Sequence, residues 1–307
     1  MAVVAAAPAV IAAEGGGSSE GGVLTYFRCG ACNAPDGSPV DERLIAPTNQ
    51  SIWFQMPQDL EGRGLLEMEG LKDVGQVELE GGATYSGQWL EDRRHGYGAV
   101  VRPDGGRYEG EFRDDRACGS GRFMHANGDM YEGQWVHDRA HGRGRFCHAD
   151  GSSYDGEWEQ DAKSGKGCET WIDGSHFKGE YVNGKKHGFG VFSAADGASF
   201  AGQFVEDAME GDGVYTFSDG RVYSGQWKNS QMYGQGQMRW PDGRSYEGTF
   251  VEDRKSGDGK FTWPDDRSYS GQWQLGRQHG IGVFCDAKGK SRKGEWNEGH
   301  RMKWLEF

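Results

Sequence analysis

An aromatic residue returns every 23 positions along most of this chain, at Tyr85, Tyr108, Tyr131, Tyr154, Phe177, Phe200, Tyr223, Tyr246 and Tyr269. Self-similarity at a period of this length implies stacked units, each too small to bury its own apolar face, and overrides the prior of two compact domains for 307 residues. The unit is clearest from Tyr131 to Ser153, which reads YEGQWVHDRAHGRGRFCHADGSS. Glycine keeps the same time. Of 53 glycines, 36 fall at four fixed offsets from the aromatic, as Gly133, Gly142, Gly144 and Gly151 do in this unit.

Within the unit, Tyr131, Gly133 and Trp135 alternate with Glu132 and Gln134, a period of two that sends the aromatics to one face of a strand. The charged stretch Val136 to His141 then leads to Gly142-Arg143-Gly144, and a second strand is expected to begin at Gly144. Phe146 fills its apolar slot, as Phe123, Phe192, Tyr215, Phe261 and Phe284 do in other units. Asp150-Gly151 is a strong turn signal and closes the unit. A lone hairpin is marginal in water, so successive hairpins must pair edge to edge. The expected fold is all-β: an elongated single-layer antiparallel sheet of stacked hairpins, about twenty strands in all, with terminal caps. Glycine beneath each aromatic fits that picture, because a ring can lie over the missing Cβ.

The boundaries follow from where the period holds. Residues 1–42 read as a flexible arm, with Glu14 to Gly22 too rich in Gly, Ser and Glu to order itself. Residues 43–84 read as an N-terminal cap with a degenerate unit, Gly62 to Thr84, in which Gly64, Gly75 and Gly82 keep the glycine offsets. Ile52-Trp53-Phe54 with Leu60, Leu65 and Leu66 would cover the first edge. Nine full units occupy 85–291, and 292–307 hold a partial unit and a C-terminal cap. The apolar Met1 to Ala13 lacks the basic region of a secretory signal and is too short to cross a bilayer. The six cysteines do not share a repeat position well enough to form a disulfide ladder, which favours a reducing compartment. Cys29 and Cys32 form a C-x-x-C with no further Cys or His before His95, so they read as ordinary thiols. The sequon Asn49-Gln50-Ser51 matters only in a secreted chain.

Y-x-G-x-W, then H-G-x-G, then D-G, at a spacing of 23, resembles the MORN repeat from about Tyr85 to Trp296. The motif's His stands in four units of nine, at His95, His141, His187 and His279. The resemblance implies a non-enzymatic scaffold or adaptor of ciliary, flagellar or cytoskeletal assemblies, placing the chain in the cytoplasm. Its alternatives are a membrane or phosphoinositide tether and the regulatory subunit of an enzyme complex. The enzymes to which some such arrays are fused have no counterpart among the remaining residues.

The chemistry legible in the residues points the same way. A net charge of -13 speaks against nucleic acid, whose binding rests on clustered Lys and Arg. Headgroup binding needs the same clusters, and only Lys185-Lys186-His187 and Arg292-Lys293 come near one. Equivalent residues one hairpin apart are separated by about 10 Å, too far for His side chains to share a zinc ion. Asp104, Asp150, Asp173, Asp196, Asp219, Asp242 and Asp265 are explained as turn acids before calcium ligands. No G-x-G runs directly into G-K-S or G-K-T, and no nucleophile with a base is signalled. No catalytic residue, metal or cofactor is expected.

Two binding features remain. Tyr85, Trp89, Tyr131, Trp135, Tyr154, Trp158, Tyr223, Trp227, Tyr269 and Trp273 form an aromatic row that is either the core or a partner-binding groove, since one layer cannot cover it fully. At the last strand, Trp296, Trp304, Leu305 and Phe307 are apolar residues in search of a surface. A two-fold dimer through that end is expected, with other proteins as the partners along the row.

Overall fold

Twenty-one strands, from β1 (Lys72–Glu78) to β21 (His300–Trp304), follow one another in the computed structural model, which describes residues 70–306. Each strand pairs antiparallel with the next in sequence, so the chain folds as one open, single-layer meander with no helix among the described residues. The arm at 1–42, the Ile52 to Leu66 cap and the Cys29–Cys32 pair lie outside the described residues. Of the degenerate unit, residues 70–84 are described, with β1 among them.

Each unit gives a strand of seven residues and one of nine, such as β6 (Met130–Val136) and β7 (Arg139–Cys147). The link between them is shorter than the sequence suggests. His137 and Asp138 sit at φ 49° and 67°, the positive-φ pair of a tight two-residue hairpin turn, so the second strand starts at Arg139 and not at Gly144. Gly142-Arg143-Gly144 lies inside that strand. Gly133 faces Gly144 while the next pair is Gln134 with His141, which leaves Gly142 and Arg143 as extra residues in a bulge. Gly142 takes φ 62°, and the displaced Arg143 N–H donates to Oε1 of Gln134 at 2.9 Å. Gln88, Gln226 and Gln272 cap the same bulge in their units. Towards β8 (Ser153–Glu159) the register runs without a shift. The second connection is the expected Asp-Gly turn, in which Asp150 accepts the Ser152 N–H at 2.8 Å and Gly151 takes φ 94°.

The ring face explains the remaining glycines. Tyr131 lies across Gly133 and Gly144, where any Cβ would collide with it or with the facing backbone. Its hydroxyl reaches past them and donates to the Gln134 carbonyl at 2.9 Å. Every other repeat tyrosine makes the same bond three residues on, at 2.7–3.1 Å. Trp135 stands edge-on to Tyr131 and to Tyr108 of the preceding unit, both with centroids 5.1 Å apart. Repeated in each unit, this makes an unbroken column of edge-to-face rings from Trp89 to Trp304. Each such pair contributes about 0.5–1.5 kcal/mol beyond burial. Trp135, Trp158, Trp227 and Trp273 also donate Nε1 to a glycine carbonyl fourteen residues back. Trp89 would need the carbonyl of Gly75, but the register of β1 shifts between Val74 and Val77, and its Nε1 is buried without a partner.

A second tie joins neighbouring units. The Asp138 carboxylate accepts the Ala117 N–H at 2.8 Å, and the Asp138 N–H donates to the Ala117 carbonyl at 3.0 Å. Asp115, Asp161, Asp207 and Asp253 repeat this staple on Arg94, Ala140, Lys186 and Met232. Gly184, Gly276 and Gly299 keep only its backbone half.

The C-terminal cap is more regular than its sequence suggests. Glu298 and Gly299, at φ 51° and 87°, form the usual two-residue turn, and β21 then pairs with β20 (Ser291–Asn297). His300, Arg301 and Lys303 are poor strand residues, but pairing uses the main chain, which they leave free to bond.

Candidate protein-binding surface

The ten residues of the expected aromatic groove come together on one face, but mostly as core. Tyr85, Tyr131, Tyr154, Tyr223 and Tyr269 are between 0% and 4% exposed, and Trp158, Trp227 and Trp273 are buried as well. Each tyrosine has a ring from its own unit on one side, one from the next unit on the other, and glycine beneath. That arrangement seals it without a second layer, so these eight cannot line an open groove. Trp89 and Trp135 alone of the ten are half-buried. Burial pushes the Tyr85 and Tyr269 hydroxyls up to about 12, and those of the other repeat tyrosines further in the same direction.

The accessible part of the ring face lies beside the column, towards the Asp-Gly loops. Trp171, Phe217, Trp240 and Trp263 stand there half-buried, at the end of the nine-residue strands. In three consecutive units the loop reads F-S-D-G-R, W-P-D-G-R and W-P-D-D-R. Arg221, Arg244 and Arg267 lie over Phe217, Trp240 and Trp263 at 4.4, 5.6 and 5.7 Å. Asp219, Asp242 and Asp265 hold each guanidinium through Nε at 2.7 Å. Pro241 and Pro264 pack over Gly220 and Gly243 of the preceding loops. This ladder was not singled out from the sequence, although aromatic-x-Asp-x-Arg in successive loops is a readable signal.

Lys255 sits where the ladder meets the column. Its Nζ is 4.2 Å from the centroid of Trp273, 4.8 Å from Phe261, 5.5 Å from Tyr246 and 6.0 Å from Trp240. Burial, and secondarily the nearby Arg244, push its amine down to about 8. The other cations at the equivalent position have acids: Arg94 pairs with Asp115, Lys163 with Glu169 and Lys186 with Asp207. For Lys255 the staple residue of the next unit is Gly276 and the counterpart of Glu169 is Phe261, so among the described residues no carboxylate pairs with it.

The other sequence candidates are placed as follows. Among the described residues, no three His, Cys, Asp or Glu side chains are grouped to hold a metal ion. Of the two basic clusters, Lys185 pairs with Glu206 at 3.2 Å, Lys186 lies near Asp207 and over Trp171, and Arg292 lies over Trp304. Trp296 is buried and carries Trp304 at 6.1 Å, with Arg301 above the latter at 4.3 Å. Leu305 is half-buried and its N–H donates to the Lys293 carbonyl. At this end Trp296 is thus covered, Trp304 stays half-buried, and Phe307 lies outside the described residues. On the opposite face, Phe189, Val191 and Val214 are exposed around Ala201, an apolar patch the sequence reading did not mark.

A family model for the MORN repeat matches nine consecutive segments, the first at 85–107 and the last at 269–291. No curated protein matches the chain in sequence. Among solved structures, the TCP10 domain of Danio rerio CPAP in complex with a peptide of Danio rerio STIL is 12% identical. That match covers 77% of this chain and 100% of the other, with a TM-score of 0.41. The SAS-4 (dCPAP) TCP domain in complex with a proline-rich motif of Ana2 (dSTIL) of Drosophila melanogaster is 11% identical, over 50% and 85%, at a TM-score of 0.32. Both superpositions are too loose to carry a role across. The nine matched segments fall on the nine hairpins from Tyr85 to Ser291, each with its ring over glycine and a two-residue turn, and the chain belongs to the MORN-repeat family.

Proposed function

We propose that this chain is a non-enzymatic scaffold that holds protein partners on the outer strip of its ring face, in a ciliary or cytoskeletal assembly. One observation carries the reading: the column is sealed, yet Phe217, Trp240 and Trp263 stay half-exposed in consecutive units, each under an arginine. Tryptophan and arginine dominate the energy of protein interfaces, and a row of them beside a rigid core is pre-organised for docking. The family favours the cytoskeletal setting, and the strip itself is indifferent to it.

A photo-crosslinking side chain placed at Trp240 or Trp263 of the full chain, in its native cells, tests the site. The expected result is discrete protein adducts from both positions and none from Asp258 on the opposite face. Adducts from Asp258 with none from the strip would move the binding surface to the other face.

A further inference from the structure

Lys255 differs from Arg94, Lys163 and Lys186, its cationic counterparts among the described residues, each of which faces an acid. Four rings surround its ammonium, and cation–π contact offsets part of the desolvation. Rings accept no conventional hydrogen bond, however, and an ammonium has three donors. The acids that satisfy Arg94, Lys163 and Lys186 are replaced here by Gly276 and Phe261. The cation also stands beside Trp240 and within the strip already assigned to partners. We infer that Lys255 is the anchor for a carboxylate of the partner, an extended acidic segment that lies across units seven and eight with Trp240 and Trp263 as its apolar walls.

The assignment rests on the ring-face reading above and adds the chemistry of the occupant. Charge complementarity supports it in a specific way. The whole chain carries -13 and repels an acidic segment in general, so such a segment can dock only where a cation lacks its own acid. Arg221, Arg244 and Arg267 do not qualify, because Asp219, Asp242 and Asp265 already hold them. An extended polyproline-type segment rises about 3.1 Å per residue, so every third side chain recurs at about 9.3 Å, close to the roughly 10 Å between successive hairpins. A glutamate at that spacing meets Lys255 while its neighbours meet the tryptophans.

The test uses the full chain and a blocked peptide, (Pro-Pro-Glu)3, against (Pro-Pro-Gln)3, with affinities from NMR titration. The glutamate peptide is expected to bind at least tenfold more tightly. Lys255→Met should bring it down to the glutamine peptide's level; the variant should fold, because Met209 and Met232 occupy the same position in other units. Lys260→Met, on the opposite face, should change nothing. Equal binding of the two peptides overturns the anchor, and if Trp240→Ala then weakens both, the ring-face reading survives it. Binding of neither peptide, or an equal loss in Lys260→Met, also overturns the proposal.

Discussion

The ring column and the strip beside it use the same residue types on the same face of one sheet, yet one is sealed and the other half-open. The column ring has neighbours in two units and glycine beneath it, so a single layer suffices to bury it. A strip ring stands at the end of its strand, where the next neighbour is a loop and the cover is an arginine. Burial in a one-layer protein is therefore decided by position along the strand. Polarity of the face does not decide it.

That contrast can be broken from its strongest side first. Tyr223→Ala should cost about 3–5 kcal/mol, the range for truncating a buried aromatic, whereas Trp263→Ala should cost well under half of that and show chiefly in partner binding. Denaturant midpoints of the two variants compare them directly, and equal losses would place the strip in the core. Gly144→Ala pushes a methyl into the Tyr131 ring and should cost about 1–3 kcal/mol as overpacking does. Gly75→Ala meets open space because its unit has no tyrosine, and its midpoint should stay at the wild-type value.

Base sharpens the comparison. The Tyr85 and Tyr269 hydroxyls are raised from 10.0 to about 12, chiefly by burial, so the folded state favours their neutral form. Their stabilisation is complete below pH 10 and is lost as pH climbs through about 12. Unfolding followed at pH 9 and pH 11 should show the fall, together with a delayed rise in tyrosinate absorbance; normal titration of all tyrosines in the folded chain would contradict a sealed column. Arg267→Gln is the smallest change, breaking an exposed pair on the strip, and its denaturant midpoint should be indistinguishable from wild type.

Much of this was legible before any coordinates, for a physical reason. A 23-residue period, alternating aromatics and Asp-Gly turns are local signals, and in an array the long-range contacts repeat the local ones. What was not legible depends on register. Gly142 looked like part of a turn, and only the pairing of Gly133 with Gly144 reveals that the strand runs through it as a bulge. Core and groove stayed open alternatives for the tyrosines because their cover comes from the next unit, 27 residues on, as in Tyr131 with Trp158. Lys255 was invisible for the same reason, since the acid it lacks would have come from position 276, in the following turn.

Near-identical units also pose a problem of address. A partner that recognised only the common features could settle equally well on any of nine units, and that freedom is worth about 1.3 kcal/mol of positional entropy, the logarithm of nine. It would slide along the array without a preferred berth. The departures from the consensus remove this freedom: tryptophans at 240 and 263 and an acid-free lysine at 255 occur together in one place only. Irregularity in a repeat protein of this kind works as a coordinate, telling a ligand where along the array it has arrived.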